Sequence, residues 1–310
     1  SLHDALPIYE IHISATLATV DPDLIAAGKF KVVLDSINGA GCVGSPMLLE
    51  HLGCELVHLN AEPTGRFAHE PEPIEPNLGD LGETVRREKA NIGFAQDPDA
   101  DRLVLVDETG RFIGEEYTLA LAVAYVFQHR KGKLATNLST SRMIDDLAAA
   151  AGVEVVRSPT GEANVVEAME REGCIFGGEG NGGVIDPRVV SVRDSFVGMA
   201  MILQYLAETK KTLSELVAEI PAYHLLKVKF PCPADAAAKM DEKTRQAFAD
   251  RPDASFNDAD GLRIDLADSW VSVRASNTEP IMRIFAEAPS QEAAEALIKE
   301  VQAIARKVIA

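Results

Sequence analysis

Residues 30–59 and 134–157 spell the same order of strand, turn, helix, glycine and strand, and this repetition restricts the fold more than any other feature of the chain. In the first copy Phe30 to Leu34 is a short apolar run, Gly44 to Leu52 is helical in pattern, Gly53 stops the helix, and Glu55 to Leu59 is a second strand. In the second copy Leu134 to Asn137, Ser141 to Ala151, Gly152 and Glu154 to Arg157 take the same places. Gly53-Cys54-Glu55-Leu56-Val57 aligns with Gly152-Val153-Glu154-Val155-Val156. A strand, helix and strand so joined are expected to pair in parallel, and the repeat implies two domains of one design. Each copy continues through a helix, Leu81 to Lys89 or Ala163 to Arg171, into a third strand around Ile92-Gly93-Phe94 or Cys174-Ile175-Phe176. The chain then leaves the carboxyl end of that strand into an unusual loop, Asp97 to Arg102 in one copy and Gly177 to Gly183 in the other. Open α/β sheets hold ligands at those ends, so both loops are expected to face one cleft.

The first loop, Asp97-Pro98-Asp99-Ala100-Asp101-Arg102, sets three carboxylates at alternate positions of a turn between strands. Oxygen-only donors with several negative charges suit a hard divalent cation, Mg²⁺ or Ca²⁺, rather than Zn²⁺. Arg102 is then expected to aim at an incoming phosphate rather than at its neighbours, because a metal already neutralises the carboxylates. A merely solvated acidic hairpin tip is the plain alternative. An EF-hand is excluded, since Arg102 stands where its bend needs glycine and strand-like Leu103-Val104-Leu105-Val106 follows. In the second loop the glycines let backbone approach a ligand closely. Its Glu179 and Asn181 supply acceptors and an amide donor that suit sugar hydroxyls. A third loop, Arg274 to Arg283, gathers a guanidinium, the Ser276 and Thr278 hydroxyls, the Asn277 amide and free backbone N–H groups, which is the make-up of an anion nest.

The net charge of −18 argues against nucleic acid or an anionic membrane as partner, and no apolar run reaches the ~18 residues of a membrane span. Cys42, Cys54, Cys174 and Cys232 lie far apart without metal or redox spacing, as expected of reduced, mostly buried thiols in a cytoplasmic protein. Residues 1–8 fit neither helix nor strand period and are expected to be a foreign or disordered leader. From Tyr9 to Ala27 a helix is expected that restarts at Asp21-Pro22. The turn Asn38-Gly39-Ala40-Gly41 lacks the third glycine and the acidic residue of a dinucleotide fingerprint and reads as turn chemistry. Residues 61–79, rich in proline and glycine, read as a functional loop or surface lid. After Lys227 strands alternate with flanking helices, the pattern of a small α+β domain. The expected organisation is α/β: two similar mixed-sheet α/β/α domains at 9–111 and 112–222, followed by a smaller α+β C-terminal domain at 223–310.

The three loops in this order resemble those of the α-D-phosphohexomutases, the family of phosphoglucomutase, phosphomannomutase and phosphoglucosamine mutase. The family's metal loop has the form Asp-Gly-Asp-(Gly/Ala)-Asp-Arg, from which this chain departs only at Pro98. Its sugar loop is Gly-Glu-x-Ser-Gly-His, matched here at Glu179, with Asn181 for serine and Gly183 for histidine. Its phosphate loop is Arg-x-Ser-(Gly/Asn)-Thr-(Glu/Thr)-Pro, matched at every position from Arg274 to Pro280. The resemblance implies Mg²⁺ on Asp97, Asp99 and Asp101, and a phosphate contact from Arg102. It also implies sugar orientation by Glu179 and Asn181, and a clamp of Arg274, Ser276, Asn277, Thr278 and Arg283 on the phosphate that is not transferred. The implied partner is a hexose or hexosamine phosphate, and the implied reaction interconverts its 1- and 6-phosphates through a phosphoserine and a bisphosphorylated sugar. The family's serine loop, (Thr/Ser)-x-Ser-His-Asn-Pro, has no counterpart, since no His-Asn pair occurs in these residues. The chain is therefore expected to be an N-terminally truncated phosphohexomutase, without a catalytic serine and inactive alone; a non-catalytic sugar-phosphate-binding protein is the alternative. Arg188 and Arg193 are open between phosphate contact and ion pairing, and His69, Glu162 and Lys133 are the candidates for general acid and base.

Overall fold

The computed structural model describes residues 2–275 and 280–309, without the side chains of 2–7, 234–238 and 309. Its contacts gather into two compact units, one of residues 1–140, 144–157 and 161–220, the other of 141–143, 158–160 and 221–310.

The first unit opens with α1 (Leu2–Leu17) and α2 (Pro22–Ala27). Helix α1 begins well before Tyr9, so residues 2–8 are not outside regular structure as expected. A nucleated helix extends at little cost whatever a residue's place in a hydrophobic period, although Pro7 has no N–H to add to the ladder. Helix α2 starts as Asp21 and Pro22 predict: the Asp21 carboxylate accepts the Leu24 N–H at 3.1 Å, and Pro22 fills the first turn, where its missing N–H costs nothing.

The first sheet follows: β1 (Lys31–Asp35), α3 (Gly41–His51), β2 (Glu55–Leu59), α4 (Gly79–Glu88), β3 (Ile92–Gln96) and β4 (Leu103–Val106). Its order is β2-β1-β3-β4, with β1 parallel to both β2 and β3 and β4 antiparallel to β3. The second sheet repeats the plan with α5 (Glu116–His129), β5 (Leu134–Asn137), α6 (Met143–Ala151), β6 (Val155–Ser158), α7 (Glu162–Glu172), β7 (Phe176–Glu179) and β8 (Gly183–Ile185). Its order is β6-β5-β7-β8, with β5 and β7 parallel and β8 antiparallel to β7. Two central strands of each sheet are buried on both faces, which is why they read as apolar runs instead of alternating. Helices α8 (Ser195–Thr209) and α9 (Leu213–Ala218) complete this unit, and α8 is buried along almost its whole length.

The second unit holds β9 (His224–Pro231), α10 (Ala234–Phe248), β10 (Ser255–Asn257), β11 (Leu262–Asp265), β12 (Trp270–Ala275), β13 (Ile281–Ala288) and α11 (Gln291–Ile309). The strands form one antiparallel sheet in the order β10-β11-β12-β13-β9. Met240 and Phe248 of α10 and Val301 of α11 pack on Ile264, Val273 and Ile284 of that sheet. Two mixed-sheet α/β domains followed by a smaller α+β domain is thus the fold class.

Candidate functional site

Strand β3 delivers the chain at Gln96 into the aspartate turn, in which Ala100 takes a left-handed conformation at φ 61°. One carboxylate oxygen from each of Asp97, Asp99 and Asp101 lies within 4.8 Å of the others. Asp97 is buried, Asp99 exposed, and Asp101 intermediate. Burial, followed by the charges of Asp97 and Asp99, pushes the Asp101 carboxyl up to about 6, against the pull of Arg193. Its Oδ1 is buried without a hydrogen bond among the described residues, and Arg102 Nε stands 3.8 Å away. An unpartnered acceptor beside two further carboxylates fits a hard cation, which would relieve both the repulsion and the missing contact. Arg102 differs from expectation: its backbone N–H and Nε both donate to Asp97, at 3.0 and 2.5 Å. A carboxylate as buried as Asp97 needs a counter-charge, and the adjacent guanidinium provides it.

Support for the turn comes from residues that the sequence does not mark as functional. The Ala40 N–H donates to the Pro98 carbonyl at 2.8 Å, and a Cβ on Gly39 would lie 2.5 Å from that oxygen. The 38–41 turn is therefore a cradle for the aspartate turn. Buried Gln96 accepts from Ser36 and Ser45 at 3.1 and 3.0 Å and donates to Ser195 at 2.7 Å. Ser195 in turn donates to the Ala100 carbonyl at 2.6 Å, which holds the left-handed residue in place.

The second loop meets the first inside the same unit: the Leu103 N–H donates to the Gly182 carbonyl at 3.0 Å. Glu179 is buried and well supplied, accepting from Asn137 Nδ2 at 2.6 Å, the Gly161 N–H at 3.1 Å and Arg193 Nη1 at 2.9 Å. Asn181 Oδ1 accepts the Gly183 N–H at 3.3 Å. Arg193 joins the loops, because its Nε and Nη2 also donate to Asp101 Oδ2 at 3.0 and 2.5 Å. A Cβ on Gly183 would lie 2.2 Å from Arg193 Cδ, so glycine in place of the family's histidine makes room for this guanidinium. Nothing in the sequence pairs residues 92 positions apart; the signal was the glycine itself.

Beside the aspartate turn lies a cavity of about 710 Å³ lined by Asp97, Asp99, Arg102 and the Glu70 to Asn77 part of the long loop. His69 anchors that loop by its Nε2 on Asp35 Oδ2 at 3.2 Å. Glu162 Oε1 accepts the Arg193 N–H at 2.6 Å. Lys133 sits ahead of β5, at the end of the sheet away from the loops, and pairs with Glu154 and Glu172. Arg188 is ion-paired with Asp186 at 2.7 Å.

In the second unit Arg274 on β12 stands directly opposite Arg283 on β13, which stands opposite Lys229 on β9. Three cations side by side across a sheet repel one another unless an anion joins them. Asp260 pairs with Arg274 at 2.9 Å, while Arg283 Nε is buried without a partner among the described residues. Ser276, Asn277 and Thr278 lie outside the described residues.

Three family models match the chain in sequence: the phosphoglucomutase/phosphomannomutase alpha/beta/alpha domain II at 10–110, alpha/beta/alpha domain III at 114–223, and C-terminal domain at 225–304. A probable phosphoglucosamine mutase of Methanopyrus kandleri is 38% identical over 305 residues, covering 96% of this chain and 66% of the relative. A phosphoglucomutase/phosphomannomutase of Thermococcus kodakarensis is 41% identical over 289 residues, covering 93% and 63%. The chain thus spans less than two thirds of the length of either relative. Among solved structures, a phosphoglucomutase/phosphomannomutase family protein of Burkholderia thailandensis superposes at TM-score 0.83 with 26% identity, over 97% of this chain and 64% of that one.

Proposed function

The chain belongs to the phosphoglucomutase/phosphomannomutase family, and on that footing we propose that it binds Mg²⁺ on Asp97, Asp99 and Asp101 and a hexose or hexosamine phosphate beside it. The observation that carries this reading is the converged carboxylate triad, in which a buried Asp101 oxygen lacks a hydrogen bond among the described residues. Bound there, Mg²⁺ would supply charge neutralisation for a phosphoryl group in transfer. Glu179 and Asn181 would orient the sugar, with Arg193 holding the Glu179 carboxylate in place. Arg102 would leave Asp97 to meet phosphate as the cation takes over neutralisation of that carboxylate. Arg274, Arg283 and Lys229, with Ser276, Asn277 and Thr278, would fix the phosphate that is not transferred, satisfying the three facing cations. Residues 9–111, 112–222 and 223–310 would then each contribute one of the three loops.

The reaction in which these residues would take part is the interconversion of sugar 1- and 6-phosphates. The serine that carries the phosphoryl group in the family form is not among these residues, so turnover is expected only when a serine-bearing segment is supplied. Calorimetric titration with MgCl₂ and then with glucosamine 6-phosphate tests the binding claim. Asp101→Asn should weaken Mg²⁺ at least tenfold. Equal Mg²⁺ affinity in that variant, or sugar-phosphate turnover by this polypeptide freed of host mutases, overturns the reading.

A further inference from the structure

We propose a second anion site at the other end of the first sheet, one that takes a small molecule carrying a polyphosphate group. A cavity of about 570 Å³ opens there, lined by Phe30 just ahead of β1 and by Ala90 and Asn91 just ahead of β3. The aspartate turn leaves the far end of β3, so the two sites are separated by a five-residue strand, about 16 Å. Arg86, Lys89, Lys210 and Lys211 stand around the cavity, and Lys29 lies between two of its wall residues. Such a concentration of cations runs against the −18 charge of the chain. The acidic wall residue, Glu108, is already engaged, accepting from the Ser214 N–H at 3.2 Å and from its hydroxyl. Lys211 is paired with Glu219. No carboxylate pairs with Lys29, Lys89 or Lys210 among the described residues, and all three are exposed.

The backbone gives an independent indication. Lys29, Lys89 and Lys210 all take left-handed conformations, at φ 50°, 51° and 57°, a region that costs an L side chain and that glycine enters freely. Equivalent stops elsewhere in the same unit use glycine, at Gly53, Gly152 and Gly173. Three lysines kept at that cost around one cavity point to a use for their charge. They also complement the carboxyl ends of α4 and α8, but glycine would cap those ends with less strain. The cavity's apolar wall of Phe30, Leu206 and Ala207 suits a ring. A nucleoside triphosphate has both parts, and inorganic tripolyphosphate shares only the charged one.

The test is calorimetric titration of the chain with ATP and, separately, with tripolyphosphate, both without divalent cations. The variant Lys89→Gly/Lys210→Gly removes two charges while relieving two left-handed residues, so it should fold with at least the parent's thermal stability. ATP is expected to bind the parent at least tenfold more tightly than the variant, with affinity falling as salt rises. Tripolyphosphate binding as well as ATP assigns the site to the polyphosphate group alone, and a preference for ATP assigns the apolar wall to its ring. Failure of both probes to bind the parent, or equal binding to the two proteins, overturns the proposal.

Discussion

The loops after β3 and β7 occupy the same place in two sheets of one strand order, yet they handle charge in opposite ways. In the first copy the strand ends on a neutral amide, Gln96, satisfied by three serines, and the carboxylates lie beyond it, gathered at a cavity. In the second copy the strand ends on a carboxylate, Glu179, and the loop beyond it carries no charge. That carboxylate is sunk into the sheet end and held by Asn137, Gly161 and Arg193. Topology settles where a loop emerges; what it can bind depends on which side of the strand end the charge lies. The segment 193–195 reconciles the two copies. Arg193 bridges Asp101 and Glu179, Asp194 caps α8, and Ser195 holds Gln96 and the Ala100 carbonyl.

Exchanging the strand-end residues is the most severe challenge to this comparison. Gln96→Glu places a carboxylate among Ser36, Ser45 and Ser195, next to buried Asp97, which already engages the neighbouring Arg102 guanidinium. An uncompensated buried charge should cost about 4 kcal/mol, read as a lowered urea midpoint. A cost below about 1 kcal/mol would mean that the first strand end tolerates charge as well as the second.

The trade between Gly183 and Arg193 comes next. Gly183→Ala should cost about 3 kcal/mol by driving a Cβ into the Arg193 stem, and Arg193→Ala about 3 kcal/mol by stranding Glu179. The double variant should cost at least about 1 kcal/mol less than the sum, because the clash goes with the side chain that causes it. Strict additivity in urea denaturation would separate the glycine from the guanidinium.

A smaller and pH-dependent effect is expected at Asp194. His12 Nε2 is ion-paired with Asp194 Oδ2 at 2.9 Å, and this contact with the carboxylate raises the histidine's pKa against the opposing effect of burial. A raised histidine stabilises the fold fully below its unfolded value, 6.5, and loses that contribution as pH rises through the folded value. His12→Ala should therefore cost about 1.5 kcal/mol at low pH and progressively less in alkaline buffer. A penalty that grows with pH would contradict the pairing.

What the sequence discloses and what it hides follow from the range of each interaction. Strands β2 and β5 can be read to the residue, because apolar runs and glycine stops report local backbone preference. The aspartate triad is legible for the same reason, as a turn whose donors are neighbours. Arg193 is not, since its partners are 92 and 14 positions away and its role exists only once the two copies abut. Gln96 looks like any polar strand end, and Lys229 becomes part of a cation row only through the register of three antiparallel strands. The short strand β10, three residues with little apolar content, carries too weak a pattern to be seen.

The smallest expected effect lies at Ala100, the residue that lets the aspartate turn differ from its glycine-framed counterpart. Its φ of 61° costs an alanine about 1 kcal/mol, whereas glycine would adopt it freely but lose more entropy on folding. Ala100→Gly should therefore raise stability by about 0.5 kcal/mol, with the carbonyl still held by Ser195. Ser195→Ala, which frees that carbonyl, should abolish the gain by letting residue 100 relax. If Ala100→Gly destabilises the protein while Ser195→Ala has no influence on it, the turn is not held by the serine, and the aspartates are set by their own sequence alone.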